Sequence, residues 1–143
     1  MEYILVSACL LGVHCRYDGG SNAIPAIQEL ANQPDICLIP VCPEQLGGLP
    51  TPRPPAERLG AGVLNCRGVD VTQQFRIGAE EVLRLAKLYG CTRAILKERS
   101  PSCGSSYVYD GKFEKRLLPG QGITSELLRK NGVEVFSETS INK

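Results

Sequence analysis

Residues 70–96, "DVTQQFRIGAEEVLRLAKLYGCTRAIL", place a helical pattern directly ahead of a strand-like one. Val71, Phe75, Ala79, Val82, Ala86 and Tyr89 recur at three- and four-residue steps. That period predicts an amphipathic helix, with Asp70 as its cap and Gly90 as its stop. "RAIL" (Arg93 to Leu96) then follows as an apolar run too short for a second helix, and reads as a strand buried on both faces. A helix that feeds a buried strand is half of a βαβ unit, so the fold depends on whether the flanking sequence repeats it.

It does so on both sides. "YILVSA" (Tyr3 to Ala8) and "ICLIPV" (Ile36 to Val41) are further continuous apolar runs rich in β-branched residues. Between them, "GGSNAIPAIQELANQ" offers Ser21 and Asn22 as caps for a short helix through Leu30, stopped by Pro34. Downstream, "TSELLRKNG" predicts a helix capped by Thr124 or Ser125 and ended by Gly132, and "VEVFS" (Val133 to Ser137) a last strand. Strands alternating with helices predict an α/β fold: a single Rossmann-like domain, its mostly parallel open sheet covered by helices on both faces through right-handed crossovers. Two stretches depart from this rhythm. "PEQLGGLPTPRPPAERLG" (43–60) is dense in proline and predicts an irregular loop, while "SSYVYDGKFEKRL" (105–117) predicts a hairpin around Asp110-Gly111.

A chain of 143 residues fits one domain, expected to span 1–143, and is long enough for a core that needs no disulfides. The net charge of +1, with no basic run to track a phosphate backbone, makes nucleic acid an unexpected partner. No apolar run approaches the 18 residues of a membrane span, and Glu2 stands where a secretory leader would be basic, so the expected location is cytoplasmic. Seven cysteines in a reducing compartment cannot all pair within one molecule. Free thiols, catalysis or metal binding remain.

Three of these cysteines share a position in the predicted fold. Cys9 follows the first strand, Cys42 the second, and Cys103 lies in "KERSPSCGSS" (97–106), the loop after "RAIL". The carboxyl ends of strands in an open α/β sheet form one edge, and ligands bind in the crevice outside it. Three thiols meeting there without a histidine suit a thiophilic centre, either an iron–sulfur cluster or zinc. On a four-iron cluster three ligands leave one iron open, as catalysis requires. Cys37, Cys66 and Cys91 read instead as packing residues. Cys15, beside the lone His14, fits a fourth ligand, a catalytic thiol or a packing residue, and its loop setting favours a place in the active site. Glu44 stands two residues beyond Cys42, and Ser100 and Ser102 flank Pro101 ahead of Cys103; a carboxylate beside a desolvated metal pocket is a natural general acid or base. The proline-dense loop is expected to wall the pocket, with Arg53 or Arg58 facing the substrate.

Taken together, "SACLLGVHCRYDGGSN" (7–22), "PVCPEQLGGLPTPRPPAE" (40–57) and "KERSPSCG" (97–104), followed by "VYDGKF" (108–113) and "GQGITSELLRKNGVEVFSE" (120–138), closely resemble the thiouracil desulfidase family over nearly the whole chain. The resemblance implies a Rossmann-like catalytic domain with an oxygen-sensitive 4Fe-4S cluster on three cysteines. It further implies removal of sulfur from small thiolated pyrimidines such as 2-thiouracil, giving the oxo base and sulfide without net redox change. Carried onto this sequence, the resemblance makes Cys9, Cys42 and Cys103 the ligands and leaves Cys15 in the active site as a non-ligand. It makes Glu44 and Ser100 the catalytic polar residues, with Ser102 and Asp18 as their neighbours. The additional C-terminal domain of some relatives is not expected here. Two other readings stay open: a non-catalytic iron–sulfur or zinc-binding module, and a thiol-based sulfurtransferase with a persulfide on Cys15 or Cys103.

Overall fold

The computed structural model describes residues 1–141. The chain runs through β1 (Glu2–Ser7), a 3-10 turn (Ala8–Leu11), α1 (Pro25–Gln28) continued by a 3-10 turn (Glu29–Asn32), β2 (Ile36–Val41), α2 (Pro43–Leu46), β3 (Ala56–Leu59) and β4 (Gly62–Asn65). It continues with α3 (Thr72–Tyr89), β5 (Arg93–Leu96), β6 (Tyr107–Tyr109), β7 (Leu117–Pro119), α4 (Ile123–Lys130), β8 (Glu134–Ser137) and α5 (Glu138–Ile141). The four apolar runs form one parallel sheet in the order β2-β1-β5-β8, the Rossmann-like α/β arrangement expected.

The strands alternate between two apolar layers. Leu5, Ala94, Leu96 and Val135 join Val82 and Ala86 of α3 and Leu128 of α4 on one face, while Ile4, Val6 and Ile95 meet Leu10, Ile27 and Ile141 on the other. Burial on both faces explains the continuous apolar runs. From β1 the chain moves outward to β2, then crosses back over β1 to β5, so the strand order reverses between β1 and β5. Ser7 pairs with Val41, Val6 with Ile95 and Leu96 with Ser137, which brings the carboxyl ends to one edge and opens the crevice at the reversal.

Helix ends depart from the sequence reading in instructive ways. α1 is shorter than predicted and begins after Ile24 with no side-chain cap, because the Asn22 carboxamide oxygen accepts from Arg16 Nη1 at 3.0 Å instead. α3 starts one residue later than expected, yet Asp70 still accepts the Thr72 amide at 2.9 Å, and Gly90 ends the helix in left-handed geometry as predicted. α4 takes Gly122 as its N-cap; Ser125, predicted to cap it, lies inside the first turn and donates to the Cys103 carbonyl at 2.8 Å. That bond ties α4 to the cysteine loop.

The two irregular stretches are more ordered than predicted. α2 opens the proline-dense segment, and β3 and β4 form an antiparallel hairpin at its end, packed through Val63 against Phe75 and Ala79 of α3. The β6–β7 hairpin exists, but residues 110–116 close it in place of a tight turn, since the buried Glu57 of β3 accepts the Gly111 and Phe113 amides at 3.0 and 3.1 Å. α2 is set by glycine: a Cβ on Gly47 would lie 1.9 Å from the Gln74 carbonyl oxygen, and one on Gly78 1.9 Å from that of Pro43. The α2 and α3 backbones touch there, fixing the turn that carries Glu44.

Candidate active site

A cleft of about 570 Å³ opens at the sheet reversal, and Cys9, Cys15, Cys42 and Cys103 all line it with Glu44, Ser100 and Ser102. Cys9 is the second residue of the turn after β1, Cys42 is the residue between β2 and α2, and Cys103 sits in the loop after β5. Strand-end placement therefore does bring the three predicted ligands to one cavity. The Cys15 thiol sits close enough to those of Cys9 and Cys42 to couple their ionisation, and its carbonyl oxygen accepts from Cys42 Sγ at 3.7 Å.

These contacts divide the thiols electrostatically. The hydrogen bond from Cys15, outweighing burial, lowers Cys9 to about 7, with help from Asn22. Cys42 is lowered to about 6 by Cys15 first, then by the Gln45 amide and the Arg53 charge. Cys15 between them is pushed well above the usual thiol range by its bonds to Cys42 and Cys9 and by burial, so it remains the protonated donor. Burial drives Cys103 up to about 12 against the opposing hydrogen bonds of Ser7 and Ser102. A thiol buried that deeply ionises when a metal supplies the compensating charge.

The donors fit a thiophilic group with several metal atoms. The three expected ligands, Cys9, Cys42 and Cys103, are all sulfur, and no histidine lines the cleft with them. Sulfurs spread round a cavity serve a cluster, whose iron atoms each take one thiolate.

Beside the thiols runs a chain of oxygen atoms. Arg53 Nε donates to Glu44 Oε1 at 3.0 Å, and Ser102 Oγ donates to Glu44 Oε2 at 2.9 Å. Ser100 Oγ, 2.9 Å from Ser102 Oγ, accepts the amides of Ser102 and Cys103. Because the Ser102 proton points at the carboxylate, the Ser100 proton points at Ser102, giving one line of donors that ends at Glu44. Arg53 also donates to the carbonyls of Cys15 (3.0 Å) and Pro50 (3.3 Å) and to the Thr51 hydroxyl (2.9 Å). Its side chain is 4% exposed. Thus Arg53, on the cleft wall as expected, holds Glu44 and the Cys15 loop together.

Other predicted residues lie elsewhere. Arg58 turns away to the Gln121 carbonyl and the Glu126 carboxylate, stapling β3 to α4. Asp18 forms an exposed turn, accepting the Gly20 amide at 2.9 Å and pairing with Arg16 at 3.3 Å, and is not among the residues that line the cleft. The His14 ring meets the Gly19 carbonyl at 3.2 Å on the exposed side of the same turn. Cys91 packs in the core, Cys37 is half-buried and Cys66 is exposed.

One residue that organises the site was not singled out from sequence. Buried Glu98 accepts the amides of Arg99, Ser105, Ser106 and Tyr107 at 2.9 to 3.2 Å, together with the Ser105 hydroxyl at 2.8 Å. Residues 99–107 wrap around that carboxylate, which shapes the loop presenting Ser100, Ser102 and Cys103. The cleft wall also carries Arg99 (φ 69°), Phe113 (φ 57°) and Lys115 (φ 59°), side-chain-bearing residues in the left-handed region. Each such conformation costs about 1–3 kcal/mol.

The sequence model of the 2-thiouracil desulfurase family matches residues 4–140. The chain belongs to that family. The solved structure of the 4Fe-4S-dependent thiouracil desulfidase TudS superposes with a TM-score of 0.93 at 48% identity, over 99% of this chain and 93% of TudS. A Bacillus subtilis (strain 168) relative, the uncharacterized protein YbbK, is 40% identical over 149 residues, covering 97% of each chain. Among the described residues no helix is long and apolar enough to cross a membrane.

Proposed function

We propose that this chain is a cytoplasmic 4Fe-4S-dependent desulfidase that converts a small thiolated pyrimidine, 2-thiouracil or a close relative, into the oxo base and sulfide without net electron transfer. The carrying observation is the meeting of three strand-end cysteines with the Arg53–Glu44–Ser102–Ser100 line in one cleft. Cys9, Cys42 and Cys103 would hold the cluster through their thiolates. When bound, the cluster supplies a thiophilic Lewis acid at the iron that no cysteine occupies.

The chain's own residues supply the proton chemistry. Glu44 enters the reaction as a carboxylate, with Oε1 fixed by Arg53 and Oε2 able to exchange the Ser102 proton for one from water. Water adds to the thiocarbonyl carbon as Glu44 accepts its proton; Glu44 returns that proton to the sulfur, and the carbon–sulfur bond breaks as the added hydroxyl loses its proton to solvent, leaving the oxo base and hydrosulfide. Ser102 and Ser100 hold the carboxylate and pass protons along their 2.9 Å contact. Cys15, whose carbonyl accepts from Arg53 and from Cys42, is a non-ligand that lines the cleft between Cys9 and Cys42.

Anaerobic reconstitution with iron and sulfide, followed by an ultraviolet assay of 2-thiouracil turning into uracil, tests this reading. Conversion only in the reconstituted sample supports it. Conversion that persists after complete iron removal would transfer the chemistry to a persulfide-carrying thiol, and a stable cluster with no reaction would remove the substrate assignment.

A further inference from the structure

Arg99, Phe113 and Lys115 are the side-chain-bearing residues held at positive φ among the described residues, and all three stand on the wall of the same cleft. They come from two separate loops. Strain of this kind survives only where neighbouring structure enforces it, and it gathers at ligand clamps. Both enforcing groups are buried carboxylates: Glu98 accepts the Arg99 amide at 3.2 Å, and Glu57 accepts those of Gly111 and Phe113. A tight turn at Asp110-Gly111 would join β6 to β7 with none of this. The longer connection instead delivers one aromatic ring to the cleft.

That ring belongs to Phe113, which is 37% exposed. Of the other aromatic side chains on the cleft, Tyr17 has the Arg16 guanidinium over its face at 5.6 Å and Tyr109 is half-buried in β6. Phe113 therefore offers a flat apolar surface in a cleft that also carries thiols and polar groups. A planar heteroaromatic ring is matched by that combination: its face stacks on the phenyl ring while its edge meets the hydrogen-bonding groups.

We infer that Phe113 is a substrate-recognition residue on which the ring of the thiolated pyrimidine stacks. The identity of that ring rests on the desulfidase reading, whereas the stacking is testable apart from it. Because the chain contains no tryptophan, Phe113→Trp places a single emitter on the cleft wall. Emission from the reconstituted variant would be titrated with 2-thiouracil and with uracil, using free tryptophan to correct for absorption. The expected result is saturable quenching. Phe113→Ala should raise KM for 2-thiouracil about tenfold with kcat changed less than twofold, and Phe113→Tyr should return KM to near the wild-type value. Quenching that only follows free tryptophan, with KM unchanged in Phe113→Ala, overturns the inference. If wild-type protein turns over no thiolated base, the desulfidase reading fails, and the titration still decides the stacking: saturation supports it and its absence ends it.

Discussion

Glu44 is held from both sides, by a buried guanidinium on Oε1 and a serine hydroxyl on Oε2. Glu44→Gln keeps the shape and removes the charge, so 2-thiouracil turnover should fall about 100-fold or more while iron content stays at the wild-type level. Retained turnover with an intact cluster would end the role assigned to this carboxylate. Arg53 joins three segments, and its loss strands the Glu44 carboxylate and the Cys15 carbonyl. Arg53→Met should cost about 3–5 kcal/mol in urea unfolding, and Arg53→Lys should recover only part, because one ammonium cannot reproduce the planar fork. Glu98 gives a pH signature. Burial pushes its carboxyl up, but the Ser106 amide, the Ser105 hydroxyl and the Tyr107 and Arg99 amides outweigh it, so the folded value lies below the ordinary 4.5. With the folded pKa depressed, its contribution is fully present above pH 4.5 and is lost as pH falls through the folded value. Glu98→Gln should therefore be less stable than wild type by about 1–3 kcal/mol at pH 7, with the gap closing on acidification, as urea titrations from pH 7 to pH 3 would measure.

At the scale of elements, the site depends on two backbone contacts that only glycine allows. In an exposed helix Gly→Ala stabilises by about 0.5–1 kcal/mol, but the Cβ of Gly78→Ala would lie 1.9 Å from the Pro43 carbonyl oxygen, forcing α2 away from α3. Overpacking of about 1–3 kcal/mol or more then dominates, and the melting temperature should drop. At Gly122 a Cβ would meet the Ser102 carbonyl carbon at 2.4 Å and the Cys103 amide nitrogen at 2.7 Å. Gly122→Ala should consequently lower iron bound per chain as well as stability, whereas Gly78→Ala acts first through the turn bearing Glu44. Metal analysis beside thermal melts separates the two. These contacts were hidden in the sequence because a glycine in "QGIT" or "RIGAEE" reads as a cap or a mild defect, and the partner it touches lies tens of residues away.

At the scale of the molecule, what was legible followed from periodicity and strand order. Apolar runs buried on both faces, separated by helical patterns, specified the parallel sheet, and the sheet placed Cys9, Cys42 and Cys103 on one edge. Glu44, Ser100 and Ser102 came with them because they are sequence neighbours of those cysteines. Groups tied in by hydrogen bonds distant in sequence were not legible: the bond from Arg53 to the Cys15 carbonyl, the grip of Glu57 on residues 111–113, and the loop wrapped around Glu98. Composition also masked the β3–β4 hairpin, since the prolines before it suggested a loop. The same architecture separates the scaffold from the cofactor site. The three apolar clusters lie between the sheet and its helices and beneath the β3–β4 hairpin, and Cys103 is the only proposed ligand among their fully buried members. Folding should accordingly survive loss of the cluster. Protein stripped of iron by a chelator should keep its far-ultraviolet circular dichroism and unfold in a single cooperative transition, at a temperature several degrees lower because binding energy no longer favours the native state. Desulfidase activity should vanish in the same sample and return on anaerobic reconstitution. A stripped protein that loses its secondary structure would instead make the thiol cleft part of the folding core, and the sheet alone would no longer explain how these cysteines are brought together.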